Sequence, residues 1–445
     1  MKKLFGTDGI RGEANSQLTP ELAFAMGRAA GWYLGHGKGG TIIIGRDPRL
    51  SGAMLEAALA SGIASVGLDV RLAGVVTTPG LAWLTCHERD AVAGAMISAS
   101  HNPMEDNGLK FVDAQGLKLS DAQEREIEDI YHNRLDKLPR PTGGGVGRIF
   151  RDESLVDKYC RFLATTVELP LNLRVLVDCA NGSASFIAGR VLEAAGARVE
   201  LIHAAPDGIN INSACGSTHP ETVAAAVRQG SYDLGLALDG DADRLIAVDA
   251  QGNIVDGDKI MLICARDLQE RGELHQNTLV VTVMSNLGLQ LAAKDLGIKT
   301  VATKVGDRYV LEEMLRNDYS LGGEQSGHII FRRFATTGDG ILSALQLMQV
   351  MVKTDQSLAQ LATAMEYLPQ VLHNVRVASK DGWQDNEAIA AAIAQAEAQL
   401  QGRGRILVRP SGTEPLIRVM LEGPDRAELE ALARDIAQVI EKELG

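Results

Sequence analysis

The chain has 445 residues, of which 45% are hydrophobic and 23% are charged, a composition typical of a folded globular protein. A chain of this length is too long for one core and predicts several domains of ~100–200 residues each. Lys and Arg number 44 against 57 Asp and Glu, and the net charge of −13 excludes a broad basic surface. We therefore expect neither nucleic acid nor an anionic membrane as a partner.

The sequence also bears on location and redox state. No apolar run reaches the ~18–20 residues of a membrane span, and residues 1–12 (MKKLFGTDGIRG) contain no apolar signal core. These features predict a cytoplasmic protein. The five cysteines are odd in number and far apart, which favours reduced thiols over disulfides or a zinc site. They are Cys86, Cys160, Cys179, Cys215 and Cys264.

Short β-branched runs alternate with helical patterns along most of the chain. The clearest strand and helix pairs are 41–44 with 53–66, 174–177 with 185–195, and 278–283 with 287–296. Each helix is followed by a glycine, at positions 67, 196 and 297, and then by another strand. This repeated pattern predicts three related α/β domains.

The pattern changes after residue 369 and indicates a smaller α+β domain. Its predicted elements are strand 371–377, helix 386–400, strands 405–408 and 416–421, and helix 425–444. Turn-forming residues at 139–145 (PRPTGGG) and 251–258 (QGNIVDGD) mark the earlier connections. The predicted fold is thus three related α/β domains with mixed sheets and a C-terminal α+β domain. The predicted boundaries are 1–150, 151–254, 255–368 and 369–445.

The first candidate site is the stretch 97–110 (ISASHNPMEDNGLK), which contains Ser100, His101 and Lys110. It follows the apolar run 91–97 (AVAGAMI), which is typical of a strand buried on both faces. Ligands of open α/β sheets bind beyond the carboxyl ends of strands. A hydroxyl there, beside an imidazole and an ammonium, is a candidate nucleophile. The alternative is an ordinary polar turn.

The second candidate site is LDGDADRL (238–245), where Asp239, Asp241 and Asp243 occupy alternate positions after another buried strand. Three such carboxylates would repel one another without a cation, and an all-oxygen ligand set favours Mg²⁺. Removing Asp241 is therefore expected to leave the metal-free protein at least as stable. A calcium EF-hand would need glycine at position 244 and glutamate at 250, and the chain has Arg244 and Ala250. The alternative is an exposed acidic turn.

Two further loops carry groups suited to a phosphorylated sugar. LGGEQSGHI (321–329) presents Glu324, Ser326 and His328 among glycines, and these side chains match the donors and acceptors of sugar hydroxyls. A glycine-rich turn with incidental polar groups is the alternative.

RPSGTEPLIR (409–418) combines guanidinium groups, hydroxyls and backbone amides, which together predict a phosphate site. Its candidate residues are Arg409, Ser411, Gly412, Thr413 and Arg418.

Four strings in this order resemble the α-D-phosphohexomutase superfamily over essentially the whole chain: SASHNP (98–103), DGDADR (239–244), GEQSGH (323–328) and RPSGTEP (409–415). FGTDGIRG (5–12), Gln325 and VGDRY (305–309) are most similar to bacterial members that interconvert glucosamine 6-phosphate and glucosamine 1-phosphate. The family's metal loop more often reads DGDGDR, so Ala242 is a departure that matters if this position requires a positive φ. Met104 and FRRFA (331–335) are also atypical.

The resemblance implies four domains around a central cleft and a phosphoserine mechanism. Ser100 would carry a phosphoryl group whose oxygens complete the coordination of one Mg²⁺ by the three aspartates. The group would pass to a phosphosugar, and the other phosphate of the resulting bisphosphate would return to Ser100. A glucosamine or glucose 1,6-bisphosphate would act as activator. The product would supply UDP-N-acetylglucosamine and cell-wall precursors, and the bacterial family suggests a homodimer.

The resemblance also assigns roles to individual residues. Arg11, Lys110 and Arg244 would neutralise charge, and His101 and Lys110 are the candidates for proton transfer. Substrate binding would fall to Gly306, Asp307, Glu324, Ser326 and His328 for the sugar, and to Arg409, Ser411, Gly412, Thr413 and Arg418 for the phosphate that is not reacting.

Three alternatives stay open at the level of sequence. The chain could act on glucose or mannose phosphates, as a phosphoglucomutase or phosphomannomutase of the same superfamily. A sugar phosphatase could use the same serine and Mg²⁺, although it has no need of a second phosphate site. A catalytically inactive sugar-phosphate-binding module would be expected to lose the serine or the aspartates, and both are intact.

Overall fold

The computed structural model describes residues 3–6, 8–37, 39–380, 382–411 and 415–445. The chain forms two compact units, one made of residues 1–284 and 298–364 and the other of residues 285–297 and 365–445. Within the described ranges, no helix combines the length and apolar character that a membrane crossing requires.

The first unit begins with a mixed six-stranded sheet. Its elements are β1 (Ile10–Glu13), α1 (Pro20–Leu34), β2 (Thr41–Arg46), α2 (Gly52–Ala64), β3 (Asp69–Val75), α3 (Thr78–His87), β4 (Ala91–Ile97), β5 (Asp106–Asp113), α4 (Asp121–Asp129) and β6 (Ile149–Arg151). The strand order is β1-β5-β4-β2-β3-β6, in which β2, β3, β4 and β6 are parallel and β5 is antiparallel to β4 and β1. Gly27 and Gly62 let α1 and α2 approach closely, because a Cβ on either would lie within 2.4 Å of the other helix's backbone.

A second and a third sheet follow in the same unit. The next elements are α5 (Ser154–Ala164), β7 (Arg174–Asp178), α6 (Ala188–Ala194), β8 (Arg198–Ile202), α7 (Pro220–Gln229), β9 (Leu234–Leu238), β10 (Leu245–Asp249) and β11 (Ile254–Val255). They precede α8 (Gly257–Glu270), β12 (Thr278–Thr282), α9 (Leu287–Asp295), β13 (Lys299–Thr303), α10 (Asp307–Asn317), β14 (Leu321–Gly323), β15 (Ile329–Phe331), α11 (Gly340–Thr354) and α12 (Leu358–Ala362). Of these elements, α9 belongs to the other unit.

The three sheets share one arrangement of strands. β5-β4-β2-β3, β10-β9-β7-β8 and β15-β14-β12-β13 have the same order, with three parallel strands and one antiparallel strand at the same end. The predicted repetition of three related α/β domains with mixed sheets is therefore confirmed. Gly67, Gly196 and Gly297 all have positive φ, as the predicted helix ends require.

The second unit contains an antiparallel three-stranded sheet with order β16-β18-β17. Its elements are β16 (Gln370–Arg376), α13 (Glu387–Leu400), β17 (Arg405–Pro410), β18 (Leu416–Glu422) and α14 (Arg426–Leu444). This agrees with the predicted C-terminal α+β domain. The preceding helix α9 is joined to this sheet, since the Leu287 N–H donates to Glu422 Oε2 at 3.2 Å and the Asn286 amide donates to Leu368 O at 3.0 Å.

Two local predictions were wrong. The helix predicted over 185–195 is a 3₁₀ turn at Ser183–Phe186 followed by α6, because Ile187 has φ −130° and breaks the helical path. Lys110 was expected to close the loop that contains Ser100. It lies instead within β5, where it pairs with Met96 of β4, and the loop ends before residue 106.

Candidate active site

Three hairpin loops form the site, and each occupies the same place in its sheet. The Ser100 loop joins β4 to β5, the aspartate loop joins β9 to β10, and the loop that contains Glu324 and His328 joins β14 to β15. The loops touch directly. The Leu245 N–H donates to Gly327 O at 3.0 Å, and Ser100 Oγ donates to Asp239 Oδ2 at 2.7 Å. The shared topology thus brings together motifs that are more than eighty residues apart in sequence.

Ser100 is buried and its backbone has φ +53°, a left-handed conformation that is uncommon for a residue with a side chain. Its hydroxyl lies 3.4 Å from His101 Nδ1, in addition to its hydrogen bond with Asp239. The structure therefore brings the predicted nucleophile, imidazole and carboxylate together at the end of β4.

Asp239, Asp241 and Asp243 are buried, and each offers a carboxylate oxygen within 4.8 Å of the others. Oδ1 of Asp241 and Oδ1 of Asp243 are buried and accept no hydrogen bond from any described residue. Burial raises the pKa of Asp239 well above its usual range, and the charges of Asp243 and Asp241 raise it further. A divalent cation would bind the two oxygens that accept no hydrogen bond and would offset this repulsion, so the carboxylates fit a hard metal ion.

Asp241 differs from its neighbours because cationic and hydroxyl groups already contact it. Its Oδ2 accepts hydrogen bonds from Lys110 Nζ at 2.9 Å and from Thr78 Oγ1 at 2.6 Å. Lys110 is buried, and its next carboxylate, Asp8, is 3.5 Å away. These contacts argue against the expectation that loss of Asp241 costs no stability, because the substitution would leave a buried ammonium poorly compensated.

The two predicted proton-transfer candidates have different charge states. Burial alone would lower the pKa of Lys110, but Asp241 and Asp8 raise it above the usual range, so Lys110 is a fixed cation. Burial lowers the pKa of His101, and Arg244 and Arg11 lower it further. The His101 ring is consequently neutral near pH 7 and able to accept a proton.

His328 is oriented from both sides of its ring. The Gly338 N–H donates to Nε2 at 2.9 Å, which places the ring proton on Nδ1. Nδ1 lies 3.5 Å from Asp243 Oδ2. His328 therefore links the third sheet to the aspartate loop and helps to orient one of the three carboxylates.

A cavity of about 490 Å³ opens beside Ser100. Of the predicted site residues, Arg11, Ser100, His101, Asp243, Arg244, Gly306, Asp307, Glu324 and His328 line it. Glu324 Oε1 accepts the Gly306 N–H at 3.0 Å, which joins two of the predicted sugar-binding segments. Pockets of ~300–1,000 Å³ suit small ligands, and the mixture of carboxylates and guanidinium groups suits a phosphorylated sugar.

Ser326, the third polar residue predicted in the 321–329 loop, lies outside the cavity beside Ser100. Its side chain is exposed and does not line the cavity, unlike Glu324 and His328 of the same loop. The sequence could not separate the three residues, because a loop of this length does not reveal which side chains face a ligand.

The predicted phosphate residues lie in the second unit. Arg409 of β17 and Arg418 of β18 are directly opposite each other in the antiparallel pair. Like charges at such positions repel, and an anion between them would relieve the repulsion. Ser411 is buried, and its carbonyl accepts a hydrogen bond from Lys380 Nζ at 2.7 Å. The predicted residues Gly412 and Thr413 lie outside the described residues.

Several polar residues at the Ser100 site were not predicted from the sequence, among them Asp8, Thr78 and Asn212. Asp8 accepts hydrogen bonds from Lys118 Nζ at 2.9 Å and from Arg11. Thr78 contacts Asp241, and Asn212 Nδ2 donates to Ser100 O at 2.9 Å. Asp8 lies inside the FGTDGIRG string and Thr78 follows a strand end, so the sequence offered a reason to consider both as site residues. Asn212 lies in an irregular segment, where no sequence pattern indicates a site residue.

Models of phosphoglucomutase/phosphomannomutase domains match four consecutive parts of the chain. They are alpha/beta/alpha domain I over residues 2–137, domain II over 157–252, domain III over 256–367 and the C-terminal domain over 372–439. The chain belongs to the phosphoglucomutase/phosphomannomutase family. The superfamily resemblance drawn from the sequence is thereby confirmed.

Individual relatives refine this assignment. The chain is 54% identical over 447 residues to the phosphoglucosamine mutase of Symbiobacterium thermophilum, with 100% of both chains covered. A crystal structure of a phosphoglucomutase/phosphomannomutase family protein from Burkholderia thailandensis superposes with a TM-score of 0.82 at 23% identity, covering 99% of this chain and 97% of that one. The structure of an Aspergillus fumigatus N-acetylphosphoglucosamine mutase, solved with GlcNAc-6P and magnesium, superposes with a TM-score of 0.69 at 18% identity. The match covers 99% of this chain and 95% of that one.

Proposed function

We propose that this chain interconverts glucosamine 6-phosphate and glucosamine 1-phosphate through a phosphoserine at Ser100 and a bisphosphorylated sugar. The observation that carries the proposal is the hydrogen bond from Ser100 Oγ to Asp239 within a cluster of buried carboxylates, beside a cavity of suitable size. Full-length similarity to phosphoglucosamine mutases supports glucosamine as the sugar.

One Mg²⁺ would be held by Asp239, Asp241 and Asp243 together with an oxygen of the phosphoryl group on Ser100. The carboxylate oxygens of Asp241 and Asp243 that accept no hydrogen bond support this assignment, as does the magnesium bound by the Aspergillus fumigatus enzyme. When bound, the ion supplies positive charge that offsets the charge of the transferring phosphoryl group.

In the first half-reaction, a hydroxyl of the phosphosugar attacks the phosphorus on Ser100. A P–O bond to the sugar forms while the bond to Ser100 Oγ breaks, and the hydroxyl proton passes to His101. His101 can return this proton to Ser100 Oγ, which is 3.4 Å away. The second half-reaction is the reverse with the other phosphate of the bisphosphate, so no net proton or electron is consumed.

The surrounding cations act by charge and position. Lys110 is a fixed ammonium, and Arg11 and Arg244 line the cavity beside Ser100. Phosphoryl transfer requires mainly alignment and neutralisation of charge, which these three groups supply without changing protonation state.

The predicted domains would divide the remaining work. Residues 1–150 carry the phosphoserine, 151–254 the metal ligands, 255–368 the sugar-binding residues and 369–445 the site for the phosphate that is not reacting. Glu324 and Asp307 would read the sugar, and Arg409 and Arg418 would hold the distal phosphate. A mutase needs this second phosphate site because both ends of its intermediate are phosphorylated.

The biological setting follows from the product. Glucosamine 1-phosphate is a precursor of UDP-N-acetylglucosamine and of cell-wall polymers, so we place the enzyme in the cytoplasm. A glucosamine or glucose 1,6-bisphosphate would activate it by phosphorylating Ser100. A homodimer stays a prediction from the bacterial family.

A side-by-side rate measurement tests the proposal. The purified enzyme would be given glucosamine, glucose and mannose 1-phosphates with Mg²⁺, and both the sugar 6-phosphate and free phosphate would be measured. We expect the highest kcat/KM with the glucosamine substrate and little free phosphate. Ser100→Ala should lose activity by several orders of magnitude, whereas the exposed-turn control Ser16→Ala should not.

A higher rate with glucose or mannose phosphates would reassign the chain to phosphoglucomutase or phosphomannomutase. Release of free phosphate as the main product would indicate a phosphatase. Near-normal turnover by Ser100→Ala would contradict the mechanism.

A further inference from the structure

Arg49 is a buried arginine outside the predicted site. It lies in the turn after β2, and its side chain is fully enclosed together with that of Asp47. Its Nε donates to Asp47 Oδ2 at 2.9 Å, and its backbone N–H donates to Asp47 Oδ1 at 3.0 Å. The cation is therefore neutralised at one edge of the guanidinium, and the other edge is available for further hydrogen bonds.

That other edge is directed at the Ser100 loop. Its Nη2 donates to Ser100 O at 3.1 Å and to Asn102 O at 2.8 Å, and Nη1 donates to Asp106 O at 3.0 Å and to Pro103 O. One guanidinium thus contacts four backbone carbonyls within seven residues. No other side-chain type presents five donors in a fixed plane, so this contact pattern is specific to arginine.

Asp47 reaches the same loop by a second route. Its Oδ2 accepts the hydroxyl of Ser98 at 2.6 Å, and Ser98 Oγ accepts the Ser100 N–H at 3.0 Å. The N–H and the C=O of Ser100 are consequently both fixed by the Asp47–Arg49 pair, the first through Ser98 and the second directly.

This double attachment explains how Ser100 keeps an unfavourable backbone conformation. A positive φ in a residue with a side chain persists only where surrounding contacts enforce it. Rotation of Ser100 to an ordinary φ would break the contacts of its N–H and carbonyl and would move Oγ away from Asp239. The only other side chain with a hydrogen bond to Ser100 O, among the described residues, is Asn212.

We infer that Asp47 and Arg49 are positioning residues that hold the Ser100 nucleophile in line for phosphoryl transfer. The inference rests on the proposed role of Ser100 and adds two residues that do not line the sugar cavity. Their effect should therefore fall on kcat. A misplacement of about 1 Å can reduce a rate by about 100-fold, while KM should change little because the substrate contacts are intact.

The test compares Arg49→Met, Asp47→Asn and the double variant Asp47→Asn/Arg49→Met. Each single substitution leaves a buried charge or polar group without its partner and should lower the melting temperature. The double variant removes both charges and should recover part of that loss, because an uncompensated buried charge is worse than a neutral pair. It should not recover kcat, because the four carbonyls still lack the donors of the Arg49 guanidinium.

Arg28→Met is the matched control. Arg28 is also buried in the first unit, and it donates to two backbone carbonyls, Leu135 O at 3.1 Å and Leu138 O at 3.4 Å, away from Ser100. We expect it to lower the melting temperature without lowering kcat. If kcat of the double variant recovered with its melting temperature, or if Arg28→Met lost kcat equally, Asp47 and Arg49 would be merely structural.

Hydrogen–deuterium exchange provides a readout that does not depend on activity. Amides of residues 98–106 should exchange at least about tenfold faster in Arg49→Met than in the wild type, and Arg28→Met should leave them unchanged. Unchanged exchange in Arg49→Met would overturn the inference even in an active enzyme. An inactive wild-type enzyme would instead contradict the proposed function, which separates the two failures.

Discussion

At the scale of single residues, two functional loops carry side chains in the left-handed backbone region. Ser100 has φ +53° and Ala242 has φ +56°. The alanine also departs from the glycine that the resembling family more often has at this position. An alanine Cβ is strained at positive φ, so the replacement of glycine by Ala242 is expected to strain this loop.

Ala242→Gly should therefore cost much less stability than the same change at an unstrained buried alanine. A left-handed backbone costs a non-glycine residue about 1–2 kcal/mol, and glycine removes this strain. Glycine also makes the unfolded chain more flexible, which lowers stability by about 0.4–1 kcal/mol. Loss of the buried Ala242 methyl group costs about 0.8 kcal/mol. We therefore expect the free energy of unfolding to stay within about 1 kcal/mol of the wild-type value, as measured by urea denaturation with metal removed.

The control for that measurement is Ala237→Gly in β9, where the residue is equally buried but lies in a regular strand. This substitution should lower stability, as glycine does inside strands. A loss of stability for Ala242→Gly as large as that of the control would contradict the strain argument.

At the scale of the loop, the three aspartates are not equivalent in the metal-free protein. Asp239 has a raised pKa and the Ser100 hydroxyl as its side-chain partner, whereas Asp241 forms an ion pair with buried Lys110. Sequence spacing alone could not distinguish them, because the partners come from β5 and from the start of α3.

We predict different stability effects for Asp239→Asn and Asp241→Asn without metal at pH 8. Asp239→Asn should keep or raise the free energy of unfolding, because it removes charge repulsion. Asp241→Asn should lower it by about 3–5 kcal/mol, because it leaves Lys110 without its closer partner. Both variants should lose Mg²⁺-dependent activity. Equal stability effects of the two substitutions would show that the Lys110 ion pair has no special role.

The N-terminus of α11 provides a prediction about pH. Asp339 caps this helix through the Leu342 N–H at 3.0 Å and accepts the Tyr159 hydroxyl at 2.5 Å. Burial raises the pKa of Asp339 to about 6 from a usual 3.8, against the opposing effect of these hydrogen bonds. The folded state therefore holds this proton more tightly than the unfolded state does. The stability that the group contributes is complete below about pH 4 and is lost as the pH rises through about 6.

Asp339→Asn should remove this loss while keeping the cap, because asparagine caps helices as well as aspartate. Relative to the wild type, we expect it to raise the free energy of unfolding at pH 8 by up to about 3 kcal/mol and to have little effect at pH 4. Urea denaturation at both pH values measures this. Asp425→Asn, at the exposed cap of α14, should show little difference at either pH, and a pH-independent effect of Asp339→Asn would contradict the argument.

Secondary structure was predictable where the pattern was strong. The strand predicted at 91–97 matches β4 at both ends, because it is an apolar run followed by polar loop residues. The buried strand predicted before Asp239 likewise corresponds to β9. β5 was not predicted, because its residues DNGLKFVD lack an apolar run and form a strand only by pairing with β4 and β1. This pairing with strands distant in sequence cannot be predicted from the local composition of residues 106–113.

At the scale of the whole molecule, the sequence singled out the three loops that meet around Ser100, because each of these three motifs follows a strand end in a repeated domain. It did not predict the residues that orient them. Arg49 and Asn212 act on Ser100 from segments that are 51 and 112 residues away. Ser326 shows the converse case, since a correct motif contained a side chain that the fold leaves exposed.

The proposed division of labour between domains predicts the effect of Arg418→Ala. This change removes one charge-assisted contact, worth about 1.5–3 kcal/mol, from the proposed site of the phosphate that is not reacting. Sugar 1-phosphate and 6-phosphate would both use this site, so both KM values should rise by a similar factor of about 10–100. The phosphoserine should persist. Arg403→Ala, which removes an exposed cation of the same unit, is the control.

A defect of Arg418→Ala confined to one substrate, or unchanged affinity for both, would show that the β17–β18 hairpin is not the shared phosphate site. A comparable defect in Arg403→Ala would instead indicate a general effect of positive charge.

The most direct test of the mechanism is to follow the phosphoryl group itself. Enzyme labelled with ³²P on Ser100 would be mixed with unlabelled glucosamine 1-phosphate and quenched over one turnover. The mechanism predicts that label leaves Ser100, appears in the bisphosphate and then in glucosamine 6-phosphate, while Ser100 regains an unlabelled phosphate. Label released as inorganic phosphate, or label retained on Ser100 while glucosamine 6-phosphate accumulates, would contradict it.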